Sequence, residues 1–143
     1  MVTSLAGLVR RQPAAFEPAL ARSPAGDRGR SPAPAVLHGH CHMKATVGMA
    51  DEMAVLNSIG VAAEEPEPGC CGMAGAFGFE RGEHYELSMK IGERSLLPAV
   101  RSAPADQLLI ADGFSCRQQI AQATGRRPLH LAEVLEMALR PSE

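Results

Sequence analysis

The chain has 143 residues, of which 45% are hydrophobic and 21% charged, a balance that is ordinary for a soluble protein with a single core. Its net charge is −2 at pH 7 and its Lys and Arg residues are scattered, so the composition does not favour a nucleic-acid partner. The chain has no apolar run near the roughly 18–20 residues that a membrane-spanning helix needs, so at most a peripheral membrane association is expected.

Residues 1–34 differ in composition from the rest of the chain. Proline, glycine, alanine and arginine occur there at a density that rarely specifies packed structure. We therefore predict an irregular, disordered linker over residues 1–34, with at most short marginal helices at 4–11 and 15–21. A globular domain is predicted over residues 35–143.

From residue 35 onward, short apolar runs alternate with segments of helical periodicity. Strands are predicted at residues 35–37, 61–63, 108–111 and 128–130. Helices are predicted at residues 44–59, 83–103, 116–124 and 132–139. The repeated order of strand, loop and helix indicates parallel strands joined by crossover helices. We therefore predict an α/β fold of three layers, with a short parallel sheet and crossover helices, preceded by the irregular N-terminal segment.

The four cysteines of the chain follow three of the predicted strands. Cys41 follows the first strand, Cys70 and Cys71 follow the second, and Cys116 follows the third. Ligands of parallel sheets collect at the carboxyl ends of the strands. We therefore expect three separate loops to bring all four thiols to one edge of the sheet, where they can bind soft metal ions or an iron–sulfur cluster.

The thiols are expected to be reduced, in the cytoplasm. The apolar stretch near the N-terminus is short, and a pair of arginines follows it instead of preceding it, which is not the order of a signal peptide. Four cysteines in a secreted chain would predict two disulfides. Without a signal, and with two cysteines adjacent in sequence, reduced cytoplasmic thiols are the better expectation.

Three interpretations of the cysteines compete. Single structural thiols are common in protein cores, but four that converge on one edge are poorly explained in this way. Zinc fits the number of thiolates, with a histidine as a further candidate ligand, but the chain lacks the C-x2-4-C spacing that is usual for zinc. An iron–sulfur cluster accepts thiolates from scattered loops and is wide enough for Cys70 and Cys71 to reach different irons. We favour the iron–sulfur interpretation and keep zinc as the alternative.

Several neighbours of the cysteines are candidates for a supporting role. They are His38, His40, His42, Lys44 and Gly72. The histidines alternate along a segment predicted to be extended, which would place them on one side, where imidazoles can donate hydrogen bonds to a cluster or relay protons. The lysine would offset thiolate charge, and the glycine would let the backbone approach closely. Ordinary polar loop residues are about as common in such positions.

These motifs resemble a known family. The order of one cysteine, then Cys-Cys-Gly, then a last cysteine is similar to the cysteine-rich CCG domain found in heterodisulfide reductase, in glycolate oxidase iron–sulfur subunits and in anaerobic glycerol-3-phosphate dehydrogenase. Segments 38–45, 69–75, 89–93 and 115–120 more closely resemble the C-terminal end of large FAD-linked oxidases that act on D-2-hydroxy acids. The resemblance covers residues 35–139.

The resemblance implies an iron–sulfur electron-transfer domain whose ligands are Cys41, Cys70, Cys71 and Cys116. The chain departs from the family at Gly113, where the last motif of the family, C-x-x-C, begins with a cysteine. Four thiolates are therefore present in place of five, and an ordinary [4Fe–4S] cluster is expected instead of the larger cluster of heterodisulfide reductase.

The resemblance also implies what the chain works with. Its sequence has no flavin-binding or ferredoxin-like segment, so FAD is expected only in a partner or in an upstream part. The chain is expected to be a separate subunit or a truncated product, without dehydrogenase activity of its own. The expected partners are a flavin-containing dehydrogenase subunit or domain and an acceptor such as a quinone. The alternative is a zinc-binding or plain-thiol structural module that docks onto an oxidoreductase.

Overall fold

A short parallel sheet lies at the centre of the computed structural model, which describes residues 3–16, 33–66 and 69–139. The strands are β1 (Ala33–His38), β2 (Val61–Glu64) and β3 (Leu108–Ala111), in the order β2-β1-β3. The central strand β1 pairs in parallel with both neighbours, with Ala33 opposite Val61 and Ala35 opposite Leu108. The first three of the four predicted strands are thereby confirmed, and their carboxyl ends lie at the same edge of the sheet.

Helices connect and flank the strands. They are α1 (Leu5–Arg11), α2 (Cys41–Thr46), α3 (Ala50–Ser58), α4 (Glu83–Gly92), α5 (Leu96–Ser102), α6 (Phe114–Thr124) and α7 (Leu131–Leu139). Short 3₁₀ turns occur at Pro13–Phe16 and Phe77–Phe79. Among the described residues, no helix is long and apolar enough to cross a membrane.

Two of the predicted helices are each divided in two. The prediction over residues 44–59 is broken at Gly48, which has a φ of +73° and donates its N–H to the carbonyl of Met43 at 2.9 Å, closing α2. The prediction over 83–103 is broken before Leu96. Pro98 lacks an N–H, and its ring would clash with the carbonyl four residues earlier in a continuous helix, so a new helix begins that holds the proline in its first turn.

The fourth predicted strand is reduced to a single bridge. Leu129 pairs in parallel with Ile110, donating its N–H to the carbonyl of Leu109 at 2.7 Å and accepting from the N–H of Ala111 at 2.9 Å. Pro128 has no N–H to continue the ladder, and the N–H of Leu131 donates to the Asp112 carboxylate at 2.9 Å, so the chain enters α7 at once. The prediction of a strand at 128–130 is therefore wrong in extent.

The core is split between the two faces of the sheet, because successive strand residues point to opposite sides. Leu37 and Ile110 belong to one buried cluster with residues of α3 and α7. Leu109 belongs to a second cluster with Cys71 and Cys116. The predicted three-layer α/β architecture is confirmed, and two of the four cysteines lie within one of its two cores.

Helix α1 belongs to this packed structure. The hydroxyl of Ser4 accepts the N–H of Gly7 at 3.0 Å and caps the helix, and Ala6 and Val9 are each 1% exposed within the first core cluster. The short helix predicted at 4–11 is therefore present at residues 5–11, where it packs on the core instead of lying in an irregular linker. The predicted helix at 15–21 falls mostly on residues 17–32, which lie outside the described residues.

Candidate metal centre

The four thiols meet at the carboxyl edge of the sheet as two close pairs. Cys41 is the first residue of α2, beyond β1, and its thiol donates to the Sγ atom of Cys70 at 3.7 Å. Cys116 lies in the first turn of α6, beyond β3, and its thiol donates to the Sγ atom of Cys71 at 3.4 Å. The structure therefore brings together all four cysteines that the sequence singled out.

The two pairs differ in their access to water. Cys41 is exposed and Cys70 is half-buried, and we call them the outer pair. Cys71 is 4% exposed and Cys116 is 1% exposed, and we call them the inner pair. The pairs are near enough to interact, because negative charge on both outer thiols helps to raise the pKa of Cys116. One end of the centre thus faces solvent and the other lies within the core.

The inner pair shares a proton unequally. The hydrogen bond from Cys116 lowers the pKa of Cys71 to about 4, with smaller contributions from His38 and the backbone N–H of Met73, although burial opposes the shift. The same hydrogen bond, together with burial, raises the pKa of Cys116. The lowered pKa of Cys71 favours its thiolate, which is the form that binds metals.

The outer pair has a different electrostatic setting. Burial is the largest cause that raises the pKa of Cys70, and the neighbouring thiol of Cys41 adds to it. The backbone N–H of Gly72 donates to the Sγ atom of Cys70 at 3.3 Å and acts in the opposite direction. Gly72 thus touches the site through its backbone amide.

The three histidines do not share one face, so the prediction of a simple alternation is wrong. His38 ends β1 and is 3% exposed, whereas His42 is exposed on α2. The chain changes from strand to helix between them, at His40. A side chain at Gly113 would place its Cβ 2.5 Å from Cδ2 of His40 and 2.8 Å from Sγ of Cys116, so the His40 ring lies beside that thiol.

His38 faces the inner pair. Its ring nitrogen and the sulfur atoms of Cys71 and Cys116 all lie within 4.8 Å of one another. The Nε2 atom of His38 is buried and has no hydrogen-bond partner among the described residues. Lys44, in contrast, forms an ion pair with Glu65. The imidazole is therefore the better candidate for direct action at the centre.

The loop that carries the adjacent cysteines packs on α4, and α4 is hydrogen-bonded in turn to α6. Gly72 has a φ of +88°, and a Cβ on it would lie 2.1 Å from the carbonyl oxygen of Ser88 on α4. The buried side chain of Gln119 on α6 donates to the hydroxyl of Ser88 at 3.2 Å. Sequence reasoning missed both polar residues, although the i, i+3 spacing of Cys116 and Gln119 places them on one face of a helix.

A buried carboxyl group lies near the same edge of the sheet, and sequence reasoning missed it as well. Glu52 on α3 is 2% exposed, and neither carboxylate oxygen has a hydrogen-bond partner among the described residues. Burial, followed by the charges of Asp112 and Glu65, raises its pKa to about 8. Asp112 lies 3.7 Å from the imidazole of His130, and Glu65 forms an ion pair with Lys44. Both carboxylates near Glu52 therefore have partners of their own.

Comparison with known proteins relates the chain to larger dehydrogenases. It is 36% identical over 99 residues, 68% of its length, to D-2-hydroxyglutarate dehydrogenase of Escherichia coli (strain K12), and 34% identical over 101 residues to the protein of that name from Pantoea ananatis. It is 32% identical over 109 residues, 76% of its length, to one subunit of the anaerobic glycerol-3-phosphate dehydrogenase of Escherichia coli (strain K12).

The chain spans 10% of the length of those two D-2-hydroxyglutarate dehydrogenases and 27% of that glycerol-3-phosphate dehydrogenase polypeptide. No family model matches it, and no solved structure matches it significantly. The matches support the resemblance to FAD-linked oxidases and related subunits that the sequence motifs indicate. They relate the chain to parts of redox proteins.

Proposed function

We propose that the chain is an iron–sulfur-binding electron-transfer domain whose cluster is held by Cys41, Cys70, Cys71 and Cys116. The observation that carries the proposal is the division of the adjacent cysteines between two pairs: Cys70 faces Cys41, and Cys71 faces Cys116. A single metal ion gathers its thiolates around one point, whereas a cluster of several irons takes them at separate positions. Four thiolates suit a [4Fe–4S] cluster.

The residues of the site fit such a cluster in charge and in access. The inner pair lies within the core, which would exclude water from one side of the cluster, and the lowered pKa of Cys71 favours the thiolate that the cluster needs. The outer pair lies at the surface, where a redox partner can approach. The N–H of Gly72 would hydrogen-bond to a ligand sulfur, and such bonds tune reduction potentials. When bound, the cluster would supply one-electron transfer.

The names of the related proteins suggest the setting of this transfer. They include dehydrogenases of D-2-hydroxyglutarate and of glycerol 3-phosphate, each much longer than this chain. We infer that the domain receives electrons from a flavin in a partner subunit or another segment and passes them to an acceptor such as a quinone. We infer a parent dehydrogenase that resembles those of 2-hydroxy acids, as the D-2-hydroxyglutarate relatives suggest. The reduced thiols suit the cytoplasm.

Anaerobic reconstitution with iron and sulfide tests the proposal. We expect about four irons and four sulfides per chain, with visible absorption from thiolate-bound iron. Each single Cys→Ser substitution is expected to abolish or strongly destabilise the cluster, because serine is a poor iron ligand and the chain has no spare cysteine. His42→Ala is the matched control, since its side chain is exposed on α2.

Two outcomes would contradict the proposal. Stoichiometric zinc without iron, from cells supplied with both metals, would support the zinc-binding structural module instead. A stable, full cluster in the Cys71→Ser variant, combined with its loss in His40→Ala, would replace the four-thiolate assignment with a mixed one.

A further inference from the structure

The buried end of the centre contains three metal-binding groups of two kinds. They are the imidazole of His38 and the thiols of Cys71 and Cys116, whose exposed fractions are 3%, 4% and 1%. Their donor atoms all lie within 4.8 Å of one another. The outer pair does not belong to this group, because Cys41 and Cys70 face each other at the surface.

The spacing of these three groups is close to that of a mononuclear site. In a tetrahedral zinc site, bonds of about 2.3 Å to sulfur and 2.0–2.1 Å to nitrogen place the donor atoms about 3.5–3.8 Å apart. The sulfur atoms of Cys71 and Cys116 are 3.4 Å apart. The ring nitrogen of His38 lies no more than 4.8 Å from either sulfur atom, so it exceeds the tetrahedral spacing by little more than about 1 Å.

The imidazole of His38 helps to lower the pKa of Cys71, yet its Nε2 atom is buried without a hydrogen-bond partner among the described residues. A buried polar atom without a hydrogen bond costs free energy, commonly about 1–3 kcal/mol, and native structures rarely retain one without a function. The Nε2 atom of His38 is such an atom, and a ring nitrogen of His38 lies within 4.8 Å of both thiol sulfur atoms. A bound metal ion would satisfy it.

The three groups are also held by separate parts of the fold. His38 ends the central strand β1, Cys71 lies in the loop beyond β2, and Cys116 lies in the first turn of α6. Because both helix and strand positions are fixed by the core, the donor atoms are positioned before any metal arrives. Preorganisation of this kind favours binding.

We propose that His38, Cys71 and Cys116 form a metal site of their own, which binds one soft divalent ion such as Zn²⁺ without the help of Cys41 or Cys70. The inference deepens the proposed function, since two of the three ligands are shared with the cluster, but it does not require that a cluster forms. Three protein ligands leave a fourth position of the ion for water or another small donor. The cluster-free protein therefore retains a metal at its buried end.

Cobalt titration of the reduced, cluster-free chain tests the site, because tetrahedral Co²⁺ reports thiolate ligands by its absorption. The decisive protein is the double variant Cys41→Ser/Cys70→Ser. We expect it to bind one Co²⁺ per chain with an affinity within about tenfold of the wild type. The reciprocal variant, Cys71→Ser/Cys116→Ser, keeps the outer pair and is expected to show no tetrahedral cobalt spectrum.

The role of His38 is tested in the Cys41→Ser/Cys70→Ser background. His38→Ala is expected to weaken cobalt binding by more than about 100-fold, which exceeds the 10–100-fold effect of residues that only support a ligand. His84→Ala, at an exposed position of α4, is the control and is expected to change nothing. His38→Cys is expected to restore binding with a third thiolate in the spectrum, a gain that a purely structural role for His38 would not produce.

Circular dichroism of each variant establishes that the sheet and helices are retained before cobalt is added. Loss of cobalt binding in a folded Cys41→Ser/Cys70→Ser variant would overturn the inference, and so would unchanged binding after His38→Ala. Iron reconstitution of the wild type is measured separately. If the wild type forms a cluster but the double variant does not bind cobalt, only the inner metal site is refuted. If the double variant binds cobalt but the wild type never forms a cluster, only the proposed function is refuted.

Discussion

Neighbouring residues at the centre occupy very different surroundings. Cys70 is half-buried and accepts the amide N–H of Gly72, whereas Cys71 is buried and accepts the proton of Cys116. A single step along the backbone therefore separates a sulfur atom near solvent from a sulfur atom in the core. This step explains how two cysteines adjacent in sequence can serve opposite ends of one centre.

Glu52 offers a test of electrostatics at the same scale. Its pKa is raised from the ordinary 4.5 to about 8, first by burial and then by Asp112 and Glu65. The folded state therefore holds this proton more tightly than the unfolded state. The stabilisation is complete below about pH 4.5 and is lost as the pH rises through about 8.

Glu52→Gln is accordingly expected to remove this pH dependence. The free energy of unfolding of the variant should exceed that of the wild type by a margin that grows between pH 5 and 8, by up to about 1.4 kcal/mol per pH unit. Urea denaturation of both proteins at each pH measures the margin. Glu86→Gln, at an exposed position of α4, serves as the control. A constant margin across the range would show that Glu52 ionises normally in the folded protein.

At the scale of elements, the contact of the cysteine loop with α4 decides whether the site can form. Gly72 and Gly75 both have positive φ angles, +88° and +70°. Alanine at either position is therefore expected to lower the free energy of unfolding by about 1–2 kcal/mol. Only at Gly72 would the new Cβ also collide, 2.1 Å from the carbonyl oxygen of Ser88. At Gly75 it would meet nothing within 4 Å.

Gly75→Ala is therefore expected to lower stability by about 1 kcal/mol and to keep its capacity for iron. Gly72→Ala should be destabilised further and should bind much less iron after reconstitution, because the loop must leave α4 to relieve the collision. Urea denaturation and iron content measure the two effects. Equal behaviour of the two variants would mean that packing of the loop on α4 does not position the cysteines.

At the scale of the molecule, helix α1 ties the N-terminal part of the chain to the domain. Val9 is 1% exposed, and Arg10 forms an ion pair with Asp51 on α3. Val9→Ala is expected to cost about 2 kcal/mol by opening a cavity in the core, whereas Leu8→Ala, at a residue 38% exposed, should cost less than about 1 kcal/mol. Urea denaturation compares the two, and a neutral Val9→Ala would show that α1 is not docked in solution.

The fold can be predicted from the sequence where the pattern of hydrophobic residues is strong. The run Leu108–Ala111 is apolar throughout, and its prediction as a buried strand is correct to the residue. The helices lie where the sequence predicts them, but two predicted helices are each two helices in the structure. Hydrophobic periodicity alone does not reveal the positive φ of Gly48 or the effect of the missing N–H of Pro98. Helix α1 was underestimated because its short sequence owes its stability to packing on the core.

The cysteines of the site were also accessible, because their chemistry is visible in their residue type and in their positions after strands. Their division into pairs was not, since it depends on the direction of each side chain after the chain turns. The burial of His38 depends on β1 being the central strand, and that of Glu52 and Gln119 on which helix face meets the core. These are tertiary properties, which the local pattern does not contain.

The parallel sheet has a consequence for the biosynthesis of the protein. Cys116 lies 45 residues beyond Cys71 in the chain, so the ribosome delivers the second member of the inner pair well after the first. At about 5–20 residues per second, this delay lasts about 2–9 s. During that interval β3 has not yet joined β1, and Cys71 has neither its proton donor nor its place in the core. The centre can therefore be completed only when translation has passed β3 and the first turn of α6.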